Sequence, residues 1–518
     1  MTSAAPNDWT SGYVSEIGYT HGYYREMAPL ALDLALLSSL QAPRPAGRLR
    51  YLELGFGQGL SLNIHAAALD GEFWGLDFLP AHAAAARDLA RASGATLQVL
   101  DDSFAEFAAR PDVPEFDMIV MHGTWSWISP ENRRVIVDIL RRKLAVGGVF
   151  FMSYNCTPGW SPSIPMRHLL TLHAKLAGSD AAGIVGKMNA AMEFAQTVAD
   201  AGARYFKVNP AVAEYLKQLP KHDRSYLAHE YFNADWHPMP FSDVAEALSE
   251  AKLTFAASAN MLDHVDALNL TADQQKLLAG ITHPVLRQSV RDYCTNQQFR
   301  KDIWVRGPRT ISVLEQLQTM RAQRFVLLSH VDDVPLKAAG TLGEAGLEAQ
   351  LRTPVLGALA ADHYAPKTVD QINALAPGLS LQQIVQMLNL LAGMGHVHLA
   401  QSDDRVRAAK RRCDALNAHL VNRALFGGDV NFLASPVTGA GVMVNRFQQL
   451  FLRSLRKGKT SPAEWANDAW GVVSLQGQRL MREGKAIADV AENIAEMTNQ
   501  AQKFADKRLP VLRALQVA

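Results

Sequence analysis

The sequence predicts an α/β fold: a doubly wound parallel sheet in the first half of the chain and a mainly helical second half. Strand-like apolar runs alternate with helix-compatible stretches over residues 49–154, and from about residue 261 the pattern becomes largely helical. Strands that alternate with helices form right-handed βαβ units, and such units build a parallel sheet. A glycine-rich turn at residues 55–59 follows the first run, which predicts a ligand close to the backbone there.

The predicted sheet rests on runs of apolar residues, each bounded by turn or helix signals. These runs are LRYLEL (49–54), FWGLD (73–77), TLQVL (96–100), FDMIVM (116–121) and GGVFFMSY (147–154). The stretches between them that suit helices are 60–69, 80–93 and 131–145. Residues 165–206 are mostly helical and interrupt the alternation, and LTFAASAN (253–260) is predicted as a late strand that returns to the sheet.

The segments on either side of this block are predicted from composition and periodicity. Residues 8–40 hold a tyrosine cluster and then an apolar helix, which predict an arm and a cap over the ligand edge; the tyrosines are Tyr13, Tyr19, Tyr23 and Tyr24. In the second half, short helices followed by GHVHLAQ predict a winged-helix-like module with a terminal hairpin. The predicted organisation is an arm and cap helix (1–48), a catalytic domain with a helical insertion (49–260), a helical regulatory region (261–345), the winged-helix-like module (346–402) and a C-terminal helical region (403–518).

Composition and charge exclude several classes of function. The formal net charge is +1, so the chain as a whole gives no reason to expect nucleic-acid or anionic-membrane binding. Residues 379–395, the expected recognition region of the winged-helix-like module, contain no Lys or Arg. The start lacks a secretory signal pattern and no apolar run nears the ~20 residues of a membrane span, so we expect a cytoplasmic protein. The three cysteines are too far apart for a disulfide framework or a zinc site.

The glycine loop narrows the class of ligand. A dinucleotide site carries G-x-G-x-x-G, whereas here Leu60 stands where the third glycine belongs. The phosphate-cradling G-x-x-x-x-G-K-[ST] is absent from the sequence. The loop of Gly55, Gly57 and Gly59 therefore suits a nucleoside-like ligand without a pyrophosphate.

Acidic residues at three strand ends identify that ligand. Asp77 ends the second run, where a carboxylate accepts hydrogen bonds from ribose hydroxyls, and Asp102 ends the third, near an adenine amino group. Glu53 stands where it reaches an ammonium directly or through water. Hydroxyls and ammonium groups are donors that pair with carboxylates, so the set predicts S-adenosylmethionine (SAM). The alternative is that Asp77 and Asp102 are helix N-caps, which strand-end acids often are.

The segment YLELGFGQGLSLN…FWGLDFLPAH resembles the first motifs of class I SAM-dependent methyltransferases, a Rossmann-like fold. Further segments resemble the branch of rickettsial protein lysine methyltransferases and of proteins with a methyltransferase regulatory domain. These are FDMIVMHGTWSWIS (116–129), FFMSYNCTPGW (150–160), YLAHEYFN (226–233), VRDYCTNQQFRKDIWVRG (290–307) and LASPVTGAGV (433–442). The resemblance implies a cofactor site of Glu53, Gly55, Gly57, Asp77, Asp102 and His122, and it alone raises the expectation of a homodimer.

Aromatic residues beyond the fourth and fifth strands predict the acceptor side of the site. We expect Tyr154 and Trp125 to form the walls of the acceptor pocket, with Tyr19 or Tyr23 closing it from the arm. The alternative is that these rings are ordinary core. His122 is expected to contact cofactor or backbone as a neutral ring, with general-base action as the alternative.

The segment AHEYFN is expected to be a strand, on which His229 and Glu230 face opposite ways; Glu230 then reaches the acceptor amine, or the segment is structural. No H-E-x-x-H, Cys/His cluster or G-x-S-x-G elbow occurs, so we expect neither a metal nor a hydrolase. The predicted activity is methylation of protein side chains, with a lysine amine as the expected acceptor. Methylation of a small molecule and non-catalytic SAM binding by a regulator remain alternatives.

Overall fold

The computed structural model describes residues 21–44 and 47–518, and its centre is a seven-stranded sheet with the order β3-β2-β1-β4-β5-β7-β6. The strands are β1 (Leu49–Leu54), β2 (Gly71–Leu76), β3 (Leu97–Leu100), β4 (Phe116–Met121), β5 (Leu144–Asn155), β6 (Leu253–Ser258) and β7 (Phe299–Arg306). All neighbouring pairs are parallel except those of β7, which runs antiparallel between β5 and β6. The predicted doubly wound sheet is therefore present, and the expected late strand is β6.

Helices cover both faces of this sheet. The first set comprises α1 (Pro29–Ser38), α2 (Leu60–Ala68), α3 (Pro80–Ser93), α4 (Phe104–Ala109) and α5 (Pro130–Lys143). Side chains alternate along each strand, so Val149 and Phe151 of β5 enter one core, whereas Phe150 and Met152 enter the other. The sheet is thus buried on both sides, which explains its near-continuous apolar runs.

A helical insertion separates β5 from β6 and carries its own apolar core. It comprises α6 (Ile164–Leu176), α7 (Gly183–Asp200), α8 (Arg204–Val208), α9 (Pro210–Gln218), α10 (Arg224–Phe232) and α11 (Phe241–Ser249). Met166, Met188 and Leu216 are buried in that separate core. Three more helices, α12 (Asp266–Asn269), α13 (Ala272–Ala279) and α14 (Pro284–Thr295), connect β6 to β7. The predicted domain boundary at residue 260 therefore falls inside the sheet, because β7 comes later in the chain.

The remainder of the chain is mainly helical, as expected. Its helices are α15 (Val313–Ala322), α16 (Ala349–Tyr364), α17 (Val369–Leu375), α18 (Leu381–Gly393), α19 (Asp403–Arg423), α20 (Arg446–Arg456), α21 (Pro462–Leu475), α22 (Val490–Lys503) and α23 (Leu509–Ala514). Its short strands are β8 (Arg324–Leu327), β9 (Lys337–Gly340), β10 (Gly343–Gly346), β11 (Lys367–Thr368), β12 (Val397–Ala400), β13 (Phe432–Ser435), β14 (Ala440–Met443), β15 (Met481–Arg482) and β16 (Lys485–Ala486). Among the described residues, no helix is long and apolar enough to cross a membrane.

The winged-helix detail is not confirmed. The three expected helices are α16, α17 and α18, but β12 does not form a hairpin with an adjacent strand. It pairs antiparallel with β8, which precedes all three helices and also pairs with β11. A strand drawn from some 70 residues upstream completes this small sheet, and local periodicity carries no signal of such a distant partner.

The C-terminal half holds the helix that follows the glycine loop. Helix α19 packs on α2 and α3, and the β13–β14 hairpin packs on α2. Gln401 donates a hydrogen bond from Nε2 to the Ala68 carbonyl at 2.8 Å, and Arg412 donates from Nη2 to the Leu69 carbonyl at 2.9 Å. The last carbonyls of a helix lack partners within the helix, so these contacts fix the C-terminal end of α2.

A buried ionic cluster ties β7 to β5 and α14. The Arg300 guanidinium donates from Nε to Asp302 at 2.8 Å and from Nη1 to Asp292, and its carbon lies 4.4 Å from the centre of the Phe241 ring. Tyr154 donates its hydroxyl to Asp302 at 2.9 Å. Arg300 and both carboxylates are buried, so removal of the cation leaves uncompensated charge in the core.

We predict that Arg300→Gln lowers the free energy of unfolding by about 3 kcal/mol, because two buried carboxylates lose their cation. Urea unfolding followed by tryptophan fluorescence measures the change. The matched control is Arg309→Gln, which removes a largely exposed partner of Glu315 and should leave the midpoint unchanged. Equal midpoints for the two variants would show that the cluster does not hold the sheet together.

Candidate active site

The glycine loop adopts a backbone that only glycine accepts without strain. Gly55, Gly57 and Gly59 have φ angles of 71°, 58° and 72°. A Cβ on Gly59 would lie 2.5 Å from the Cβ of Ala86, so the loop also lies too close to α3 for a side chain. The loop that contains these residues connects β1 to α2, as the sequence predicts.

Asp77 holds this loop from the end of β2. Its Oδ2 accepts a hydrogen bond from the Gly57 N–H at 2.8 Å, and its Oδ1 accepts one from the Leu79 N–H at 3.1 Å. His82 Nδ1 lies 3.1 Å from Oδ1. The carboxylate is 8% exposed and faces the cavity described below, so it retains acceptor capacity for a ligand.

Glu53 is a buried carboxyl group at the same edge. The Tyr51 hydroxyl donates to its Oε2 at 3.4 Å. Burial, with a smaller contribution from Asp77, raises the pKa of Glu53 to about 8. A cation placed beside it would favour the ionised form and lower that pKa, so the site gains most from a positively charged ligand.

Of the two acidic residues that follow β3, one faces the cavity and the other does not. Asp102 lines the cavity and accepts a hydrogen bond from Arg110 Nη2 at 3.0 Å. Asp101 is largely exposed, and its hydrogen bond with Arg87 at 2.8 Å lowers its pKa. Asp102 is therefore the member of the pair available to a ligand.

His122 lies at the end of β4 between the arm and β5. Its ring stacks on Tyr24 with a centroid distance of 3.6 Å, and its Nδ1 lies 2.9 Å from the Ser153 hydroxyl. Burial lowers the pKa of His122 to about 3, so the ring is neutral at pH 7. A neutral ring bonded to a serine, not to a carboxylate, favours a contact role over general-base action.

These residues surround a cavity of about 600 Å³ at the carboxyl ends of the parallel strands, where ligands bind in open α/β sheets. The residues that line it include Gly22, Tyr24, Glu53, Gly55, Gly57, Asp77, Phe78, Asp102, Phe104, His122, Trp127, Asn132, Asn155, Trp160, His229, Glu230, Asn233, Asp235 and Phe299. Gly59 stands next to it as the residue before α2. In the described part of the chain, no group of three or more His, Cys, Asp or Glu residues is placed to hold a metal ion.

The predicted acceptor residues Tyr154 and Trp125 do not line this cavity. Both are 1% exposed and lie in the core on the far face of the sheet, where Tyr154 bonds to Asp302. The physical reason is the alternation along β5: Asn155 lines the cavity and Ser153 bonds to His122 on the same face, so Tyr154 faces away. Trp125 is followed by a second tryptophan, Trp127, and this one lines the cavity.

The arm contributes a different tyrosine from those expected. Tyr19 and Tyr13 lie outside the described residues. Tyr23 is 7% exposed and points to His65 at 3.3 Å, so it does not close the cavity. Tyr24 lines the cavity instead, stacked on His122.

Glu230 does line the cavity, although its segment is not the expected strand. Residues Arg224–Phe232 form α10, and both His229 and Glu230 face the cavity from it. Burial raises the pKa of Glu230 to about 7, and the nearby Arg167 opposes that rise. A short apolar and aromatic run does not distinguish strand from helix, and the surrounding helical insertion decides the outcome here.

A tryptophan wall at this end of the cavity is absent from the predicted set of site residues. Trp160 meets Trp236 edge to face at a centroid distance of 5.5 Å, and Trp127 lies 6.2 Å from Trp236. The Arg167 guanidinium lies 5.0 Å from the Trp236 ring and donates to the Asn233 carbonyl at 2.7 Å. The available signal was the W-x-W pattern at 125–127, in which the second ring takes the opposite side.

Two family models match the regions that form this cavity. Residues 52–148 match the model of a methyltransferase domain, and residues 223–306 match that of the predicted methyltransferase regulatory domain. The second match includes α10 and β7, so the region with the regulatory name contributes Glu230 to the cavity. The fold and the site define a class I SAM-dependent methyltransferase.

Two kinds of relative extend this comparison over the whole chain. The uncharacterized protein sll1526 of Synechocystis is 37% identical over 515 residues, which cover 98% of this chain and 100% of that protein. The structure of PKMT2 from Rickettsia typhi in complex with AdoHcy covers 96% of this chain and 100% of its own, with a TM-score of 0.69 at 16% identity. A second structure of that protein has a TM-score of 0.66 over 95% of this chain and 99% of its own, at 14% identity. The chain belongs to the same family as sll1526, and this chain carries a methyltransferase domain and the methyltransferase regulatory domain.

We predict that Tyr154→Phe lowers stability but leaves ligand binding intact, because its hydroxyl serves Asp302 and not the cavity. Loss of one hydrogen bond to a buried carboxylate costs about 2 kcal/mol. Urea unfolding and calorimetric titration with S-adenosylhomocysteine measure the two properties. A stable variant with lost turnover would return Tyr154 to the acceptor site.

Proposed function

We propose that Glu53, Asp77 and Asp102, together with the glycine loop, hold SAM. The ribose hydroxyls, adenine amino group and ammonium of SAM are donors, and each of the three carboxylates faces the cavity as an acceptor. SAM supplies an electrophilic methyl group on a sulfonium. The Rickettsia typhi neighbour was solved with AdoHcy, the demethylated product, which supports the same ligand here.

We propose that the acceptor is a lysine amine of a protein substrate, bound at the end of the cavity near Trp160 and Glu230. The observation that carries this proposal is that Glu230, a partly buried carboxyl group, lines the same cavity as Trp127, Trp160 and the acids assigned to the cofactor. Aromatic faces and a carboxylate attract an alkylammonium. The resemblance to rickettsial protein lysine methyltransferases supports the same acceptor.

Glu230 takes the proton that the acceptor must lose. An ammonium of pKa ~10.4 is unreactive towards a methyl group, and neutrality at pH 7 costs roughly 4.6 kcal/mol. A carboxylate whose pKa lies near 7 is matched to accept that proton. Once the proton is transferred, methyl transfer would require the neutral amine to be aligned with the methyl carbon and shielded from water.

Labelled SAM tests the cofactor assignment. We predict that the wild-type protein transfers label from SAM to protein in a bacterial extract and that Asp77→Asn reduces transfer by at least tenfold, because an amide cannot accept all the bonds of a carboxylate. Asp101→Asn is the matched control and should retain activity, since Asp101 lies outside the cavity lining. Label found only in small molecules would favour a metabolite acceptor, and SAM binding without any labelled product would favour a regulator.

The pH profile of turnover tests Glu230. A base must be ionised to accept a proton, so the rate should rise with pH through about 7. We predict that Glu230→Gln lowers turnover by about 10²-fold or more and removes that inflection, while SAM affinity stays unchanged. Glu214→Gln, an exposed acid on the same insertion, is the control. An unaltered profile in Glu230→Gln would exclude Glu230 as the proton acceptor.

A further inference from the structure

Three buried side chains form a continuous hydrogen-bonded chain that ends on Glu53. Tyr23 Oη lies 3.3 Å from His65 Nε2, and His65 Nδ1 lies 3.2 Å from Tyr51 Oη. Tyr51 then donates to Glu53 Oε2 at 3.4 Å. Tyr51 and His65 are 0% exposed, and none of the three side chains lines the cavity. These three side chains therefore act on a ligand only through Glu53.

The chain has one consistent direction when Glu53 is ionised. The Tyr51 hydroxyl has a single proton, which it gives to the carboxylate, so its oxygen accepts from His65 Nδ1–H. Burial lowers the pKa of His65 to about 3, so the ring is neutral and its Nε2 accepts the proton of Tyr23. Each hydrogen bond of this series then has one donor and one acceptor. The bonds that His65 makes to Tyr51 and Tyr23 fix the hydrogen bond from Tyr51 to Glu53.

The far end of the chain rests on the C-terminal half of the protein. A Cβ on Gly441 of the β13–β14 hairpin would lie 2.8 Å from the Tyr23 ring, so only glycine allows this approach. Phe432 of the same hairpin lies 4.9 Å from Tyr23 between ring centroids. Tyr23 is thus held by the hairpin on one side and bonded to His65 on the other.

We propose that Tyr51, His65 and Tyr23 are positioning residues that hold the Glu53 carboxylate ready for the ammonium group of the cofactor. The proposal rests on the proposed function, because it takes the amino-acid tail of SAM to lie at Glu53. Burial favours the neutral form of the Glu53 carboxyl group, and this form attracts an ammonium only weakly. The hydrogen bond from Tyr51 opposes that change, and His65 and Tyr23 fix the direction of the Tyr51 hydroxyl.

Few charged groups act on Tyr23, His65, Tyr51 and Glu53. Asp77 faces Glu53 from the end of β2 and disfavours its ionised form. Glu26 and Arg25 act on Tyr23 from the arm with opposite signs, and His398 faces His65. None of these supplies a donor to Glu53 among the hydrogen bonds described for this part of the chain, so Tyr51 is the group to remove.

Calorimetry with two ligands separates a positioning role from a structural one. S-adenosylhomocysteine carries the amino-acid tail, whereas 5′-methylthioadenosine has the same adenosyl group without it. We predict that Tyr51→Phe weakens S-adenosylhomocysteine binding about tenfold at pH 7, the order expected for a hydrogen bond to a charged group. Binding of 5′-methylthioadenosine should not change. Tyr205→Phe, whose hydroxyl bonds to the Pro162 carbonyl, is the control.

The pH dependence gives a second readout. Glu53 must be ionised to accept the ammonium, so affinity for S-adenosylhomocysteine should rise as pH increases towards 8 in the wild-type protein. Without the Tyr51 donor the pKa of Glu53 is higher still, so the rise should shift to higher pH. Tyr23→Phe should cause a smaller shift in the same direction, and it keeps the proposal testable if Tyr51→Phe does not fold.

The outcomes are distinguishable. No heat from either ligand with the wild-type protein would overturn the proposed function and this inference with it. Wild-type binding combined with an equal loss of both ligands in Tyr51→Phe, or with unchanged binding of both at every pH, would overturn the inference alone. Selective loss of the ligand with the tail would support it.

Discussion

The hydrogen bond from the Gly57 N–H to the Asp77 carboxylate is the interaction on which the site depends. It joins the loop at the end of β1 to the end of β2, and it holds a backbone that three left-handed glycines make possible. Asp77 accepts hydrogen bonds from two backbone N–H groups, so its position is fixed before a ligand binds. Burial, and to a smaller extent the Asp77 charge, raises the pKa of the nearby Glu53. A ligand with hydroxyl donors and an ammonium would supply donors to both carboxylates, which is the physical basis for the SAM site proposed here.

The other end of the cavity is made by parts of the chain that a simple βαβ sheet does not contain. Helix α10 comes from the insertion after β5, and Phe299 begins β7, yet both line the same cavity as the glycine loop. The buried Arg300 cluster joins β7 to β5, and so fixes this added material against the parallel sheet. The region matched as regulatory is therefore not an appendage. Its helix α10 lines the cavity, and its strand β7 is part of the central sheet.

The cofactor end was predictable from sequence because it depends on local order. Parallel strands end at a common edge, so glycines after β1 and acids after β2 and β3 must meet there whatever the rest of the chain does. Tyr154 shows where this reasoning stops: it lies near the end of β5, inside the strand and not beyond it. Which face of β5 it takes depends on strand parity and on a partner, Asp302, 148 residues away. Glu230 was identified on the wrong element, since only the insertion's own packing makes α10 a helix. The β8–β12 pairing is likewise non-local.

Helix α2 has less freedom to move than the helical insertion. All nine residues of α2 are buried, its first turn follows the glycine loop, and Gln401 and Arg412 hold its last carbonyls. A helix covered on every side cannot shift without displacing both the sheet and α19. The insertion differs, because α6 to α10 share a core separate from that of the sheet. A displacement of the insertion that keeps this core intact would therefore leave α2 and the glycine loop in place.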